Sequence, residues 1–114
     1  MAQFTAKDLE QAKNYSLSII QQAQARKRSV FDYARKGKSF FDKESLWDGN
    51  QYVYAIDNVE YKLKELESFG SVNGKKVSKD SIYDELISVV KKSYADLFTA
   101  MYEYFQIVKD FNIR

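Results

Sequence analysis

Apolar residues recur along most of this chain at intervals of three and four, the spacing that lines one face of an α-helix. Leu9, Ala12, Ser16, Ile19, Ala23, Val30 and Ala34 follow it, with Ile20 and Phe31 widening the stripe. Thr5 precedes this run and Asp8 sits three residues on. That is capping-box spacing, and Phe4 and Leu9 are placed to staple it. The pattern predicts one helix over residues 6–36. Gly37 ends it, and Ser39 to Asp42 restarts it as a short helix over 39–46. Asp48 is placed to cap a further helix over 49–68, whose face carries Tyr52, Ala55, Ile56, Val59, Leu63 and Leu66. Asn73-Gly74 is a tight-turn dipeptide between two valines, so residues 70–77 are expected to form a tiny hairpin or an exposed loop.

The last stretch has the strongest period. Ile82, Leu86, Val89, Val90, Leu97, Met101, Phe105 and Val108 predict a helix over 81–111, and Tyr83, Ile87, Tyr94, Phe98 and Tyr104 broaden its apolar face to roughly half the circumference. A face that wide exceeds what one neighbour covers, so this helix is expected to be central or shared with a partner. Short connections imply antiparallel neighbours. The fold expected is therefore all-α, an antiparallel bundle of three long helices plus one short connecting helix, in a single domain over 1–114.

Composition narrows the chemistry. The chain has 114 residues, no proline, and four glycines, all at the predicted helix breaks. It has neither cysteine nor histidine. That removes thiolate and disulfide chemistry, the imidazole base, and every catalytic triad that runs through histidine. The Glu-x-x-His pairs of carboxylate-bridged metal bundles are likewise excluded. The glycines match neither phosphate-binding spacing, G-x-G-x-x-G nor G-x-x-x-x-G-K-[ST]. Asp57 with Glu60, and Asp84 with Glu85, are the carboxylate pairs open to an acid–base role, but a solvated helix surface explains their spacing. The expectation is a non-enzymatic protein with no cofactor and no metal. The first residues lack a basic start and an apolar core, so no cleaved leader is expected, and no stretch has the length and apolarity of a membrane helix.

Two groups of residues are candidates for binding. Nine tyrosines and eight phenylalanines are many for this length, and tyrosine suits interfaces because its ring buries while its hydroxyl stays wet. Trp47, Tyr52, Tyr54, Tyr94, Phe98 and Tyr102 are the residues expected to meet a protein partner or a second copy in a homodimer, and Tyr61 joins Tyr102 among the rings farther from the apolar stripe. The alternative is a nucleic-acid-associated subunit that tracks phosphates with Arg26, Lys27, Arg28, Arg35, Lys36 and Lys38. Against it stands the balance of 18 basic and 16 acidic residues, a net charge of only +2. Solvated cations that complement the dipole at a helix C-terminus are the favoured explanation of the cluster.

Trp47-Asp48-Gly49 lies between two amphipathic segments and resembles the Trp-x-Gly turn of the small helical proteins called WXG100 or ESAT-6-like. Asp48 between Trp and Gly, Asn50 and Tyr52 extend the likeness, which covers residues 5–68. It implies a four-helix dimer, export by a type VII secretion system and no catalysis, with Trp47 and Gly49 as the turn residues. The chain departs from that family at Gly37, at residues 70–77 and in its third helix, and lacks the Tyr-x-x-x-Asp/Glu export signal. The functional expectation is a non-enzymatic protein–protein interaction module, a small adaptor or accessory protein. A phage or bacteriocin-immunity type binding protein is a further alternative. Its expected location is the cytoplasm, or outside the cell after export without a cleaved signal peptide.

Overall fold

A computed structural model describes residues 4–42 and 49–111, and within them the chain is all-α, its other regular feature being one isolated β-bridge. The helices are α1 (Ala6–Gln24), α2 (Val30–Arg35), α3 (Lys38–Asp42), α4 (Gly49–Phe69) and α5 (Lys79–Phe111).

The start of α1 is as the sequence predicts. The Thr5 hydroxyl accepts from the Asp8 amide at 3.1 Å, and the Asp8 carboxylate accepts from the Thr5 amide at 2.9 Å, closing the capping box. Phe4 is buried ahead of it. The end of α1 is not. In place of one helix over 6–36, the chain breaks after Gln24 and folds back. Arg26 takes a left-handed φ of 53°, the Arg26 amide donates to the Ala23 carbonyl, and the Lys27 amide donates to the Gln22 carbonyl. These are the two bonds of a Schellman cap, with arginine where glycine usually stands. The reversal carries Val30, Phe31 and Ala34 wholly into the core.

α2 and α3 then run back along the bundle, separated at Gly37. The 39–46 helix is observed as Lys38–Asp42, and its predicted remainder lies outside the described residues. α4 matches its prediction and extends one residue further, to Phe69, where Gly70 (φ 72°) stops it. α5 begins two residues earlier than predicted, because the Ser78 hydroxyl accepts from the Ser81 amide at 3.1 Å and caps its first turn. Between them Val72 and Lys75 exchange both backbone hydrogen bonds at 3.0 Å. Asn73 (φ 54°) and Gly74 (φ 77°) form the positive-φ centre of that turn, so the expected hairpin exists as a single bridge.

Cross-element contacts give the direction of each helix. Along α1 and its C-terminal cap, Arg26 meets Asp80, Tyr15 meets Tyr94 and Lys13 meets Tyr102. Along α4, Glu67 meets Lys79, Lys62 meets Glu85 and Tyr52 meets Tyr94. Both sets ascend on one helix and descend on α5. The broad apolar face of α5 is therefore covered twice, by α1 and by α4, burying Ile82, Tyr83, Leu86, Val90, Tyr94, Leu97 and Met101. The molecule is elongated, 63 × 23 × 18 Å, as a 33-residue helix of about 50 Å requires.

Candidate interaction surface

α4 has two faces, and its sequence sets both. Tyr52, Ile56, Val59 and Leu63, spaced by four, three and four, are buried. Tyr54 and Tyr61, seven residues apart and so two turns along one side, are 72% and 65% exposed, and Phe69 at the end of the helix is 79% exposed. No other helix carries three exposed rings among the described residues. Leu17 on α1 and Tyr102 on α5 are also more than half exposed, and the Lys13 ammonium stands 5.6 Å from the centre of the Tyr102 ring. That cation–π contact holds the Tyr102 ring against α1.

The residues expected to contact a partner are divided by the fold. Tyr54 and Tyr102 lie on the surface. Tyr52 and Tyr94 do not: both are 1% exposed and offer nothing to a partner in this conformation. Phe98 is half-buried, packed on the core with its ring 6.1 Å from that of Tyr94. Trp47 lies outside the described residues. The interior explains why so many rings were surplus to a simple apolar stripe. Tyr94 is ringed by Tyr15, Phe40, Phe41, Tyr52 and Phe98 at centroid separations of 5.0–6.4 Å, while Phe41 stacks on Tyr52 at 4.3 Å. Edge-to-face and offset pairs of this kind are favoured by the ring quadrupole.

Hydroxyl groups inside this cluster are mostly satisfied. Tyr52 donates to the Ala34 carbonyl at 2.8 Å and Tyr15 donates to the Tyr33 carbonyl. The Tyr94 hydroxyl is buried with no hydrogen-bond partner among the described residues. Burial pushes the Tyr52 phenol up from 10.0 to about 12, and raises those of Tyr15 and Tyr94 as well, because a phenolate would be stranded in an apolar interior.

Four of the six cations weighed for nucleic-acid binding are engaged within the molecule. Arg26 pairs with Asp80 at 2.5 Å, Arg28 with Glu67, and Lys38 with Asp42 at 2.5 Å. Arg35 is held by Asp32 at 2.7 Å, Asp57 at 2.6 Å and Glu60. Lys27 and Lys36 form no ion pair among the described residues. Three of the four carboxylates weighed for acid–base chemistry are engaged in ion pairs: Asp57 and Glu60 clamp Arg35 between α2 and α4, and Glu85 pairs with Lys62 at 2.6 Å, while Asp84 is exposed and forms no ion pair among the described residues. Sequence spacing placed Asp57 beside Glu60, but gave no sign of the arginine arriving from another helix. Among the described residues, no group of three or more carboxylates is placed to hold a metal ion. No helix there is long and apolar enough to cross a membrane.

Gly49, the last residue of the Trp47-Asp48-Gly49 sequence, opens α4. Its amide donates to the Asp42 carboxylate at 3.1 Å, and a side chain at this position would collide with that carboxylate and the Lys38 stem. Asp42 is thus an acceptor at the N-terminus of α4 that sequence reading overlooked. Asp48, predicted for that role, lies outside the described residues.

An open groove of about 240 Å³ separates the 70–78 loop from α4 and α5, with Val72, Val77 and Ile82 at its apolar side and Lys62, Lys75 and Glu85 at its polar side. Compared with protein-family models, curated proteins and solved structures, the chain finds no match.

Proposed function

We infer that this protein is a non-enzymatic helical interaction module that presents the outer face of α4 to another protein, with self-association into a homodimer as the simplest form. One observation carries the reading: Tyr54, Tyr61 and Phe69 are mostly exposed along a single helix, while Tyr52, the one other ring of that helix, is interior. Ordered, half-rigid aromatic surface is what protein interfaces select, since a tyrosine buries a large ring at the cost of only two torsions. The supporting frame is an antiparallel bundle whose long helices are α1, α4 and α5. Leu17 on α1 and Tyr102 on α5 are further exposed apolar side chains.

The Trp47-Asp48-Gly49 likeness favours a secreted-partner or adaptor role, in the cytoplasm or after signal-less export. The nucleic-acid reading is less favoured, because a phosphate backbone would have to compete with Asp80, Glu67, Asp57 and Glu60 for the same arginines.

The test is the full chain with Y54S and Y61S together. Both positions are exposed, so helicity by circular dichroism should be unchanged. Assembly mass by light scattering across a concentration series should fall to that of a single chain. A wild-type chain that remains single throughout removes self-association. A variant that recovers the same partners as wild type, in the same yield, from the source cell removes the α4 face itself.

A further inference from the structure

The structure assigns a spontaneous modification site to Asn73-Gly74, gated by Glu65. We propose that Asn73 converts through a cyclic imide to aspartate and isoaspartate, at a rate set by how often the loop leaves α4, and that the isoaspartyl product cannot re-form the turn.

The chemistry needs only water. The backbone nitrogen of Gly74 attacks the side-chain carboxamide carbon of Asn73. A nitrogen–carbon bond forms, the bond to Nδ2 breaks, and ammonia departs carrying the proton lost by the Gly74 amide. Water then opens the ring. Attack at the side-chain carbonyl gives aspartate with the original backbone; attack at the main-chain carbonyl gives isoaspartate, with the backbone rerouted through the extra methylene. Glycine at the following position is what makes the attack unhindered, and Asn73 is the one asparagine of the chain followed by glycine. Asn14, Asn50, Asn58 and Asn112 are followed by Tyr15, Gln51, Val59 and Ile113, whose side chains hinder the attack, and the first three sit in helices.

Three features make this turn the reactive one and place it under control. Residues 73 to 80 are exposed, and the turn is closed by one isolated bridge, so opening it disrupts little else. The Gly74 amide makes no hydrogen bond among the described residues, which leaves the nucleophile free. The restraint comes from α4: the Glu65 carboxylate accepts from the Asn73 amide at 3.0 Å, pinning the residue whose side chain must swing toward Gly74. After conversion the new carboxylate at 73 stands beside that of Glu65. An isoaspartyl backbone also cannot supply the consecutive positive-φ residues that let Val72 and Lys75 pair.

The full-length protein is held in mildly alkaline buffer and sampled over time, with isoaspartate located by methyltransferase labelling and peptide mapping. Label is expected at position 73 ahead of positions 14, 50 and 58. E65A should raise its rate about threefold to tenfold, the factor expected for losing one ordinary hydrogen bond, since exposure to solvent weakens the contribution of the carboxylate charge. Circular dichroism checks that E65A keeps its helices, and E65Q, which still offers an acceptor, should fall between E65A and wild type. In the modified fraction, amide exchange at Val72 and Lys75 should rise to that of an open loop. No label at 73 in the folded chain, or an E65A rate equal to wild type, overturns the assignment. Retained protection at Val72 and Lys75 in isoaspartyl chains overturns the claim that modification releases the loop.

Discussion

At Gly37 the backbone passes so close to the aromatic cluster that a side chain there would occupy the space of the Tyr94 hydroxyl and press on the Tyr15 ring. Gly37 is needed for that closeness, since its φ is not in the left-handed region, and the residue reads in sequence only as a helix break. Tyr94 is the other half of the fit: its hydroxyl is buried and unpaired among the described residues, and a buried polar group without a partner costs about 1–3 kcal/mol. Tyr94→Phe is therefore expected to leave stability unchanged or raise it by about 1 kcal/mol in urea denaturation, whereas Gly37→Ala should destabilise by about 1–3 kcal/mol through overpacking. Combining them should recover part of the Gly37→Ala loss, because the atom displaced is gone. Strict additivity in the double-mutant cycle would show that the two positions are not in conflict.

The reversal between α1 and α2 is the largest difference from the sequence-based expectation at the level of elements. Hydrophobic spacing continues in phase from Ala23 to Val30 and Ala34, and residues 25–29 contain neither glycine nor proline. Nothing local announces a stop. The left-handed Arg26 costs about 1–2 kcal/mol relative to a glycine, and the fold bears it because the hairpin brings Val30, Phe31 and Ala34 into the core and gives Tyr15 the ring of Tyr33 at 4.7 Å. The two geometries predict opposite signs. In a continuous helix Arg26→Gly would destabilise by about 1 kcal/mol. At a left-handed cap it should be neutral or stabilising, the lost Arg26–Asp80 pair being exposed and worth little. Arg26→Val should destabilise by about 1–2 kcal/mol, since a β-branched residue tolerates positive φ least. Thermal and urea denaturation of both variants measure this.

Over the whole molecule, ion pairs tie elements that are far apart in sequence: Arg26 to Asp80, Arg28 and Lys79 to Glu67, Arg35 to Asp57 and Glu60, Lys62 to Glu85. Hydrogen bonding from Arg28 holds the Glu67 carboxyl below its usual range, and hydrogen bonding from Arg26 does the same for Asp80. A carboxyl whose folded pKa is depressed adds stability above its unfolded value, and that stability is lost as pH falls through the folded value. Stability should accordingly be level from neutral pH down to the ordinary carboxylate range and decline below it. The variant Glu67→Gln should flatten part of that decline. Since both groups are solvent-exposed, the effect should shrink in added salt. An acid limb that salt and Glu67→Gln both leave untouched would remove these pairs as its cause.

Local chemistry sufficed for what depends on neighbours along the chain. Helical class follows from the three-and-four period, the α1 start from Thr5 and Asp8, α4 from its inner face, and the 70–77 turn from two residues that tolerate positive φ. The exposed Tyr54 and Tyr61 were also legible, since they sit off the apolar stripe of their helix. Tertiary packing alone decided the rest. Tyr52 and Tyr94 became interior rather than interfacial because α5 found two neighbours within the same chain. The three arginines of the basic cluster became struts because carboxylates 22 to 54 residues away arrive opposite them. The first helix folded in two because the core gained by Val30, Phe31 and Ala34 outweighs one strained residue, a balance that no window of sequence contains.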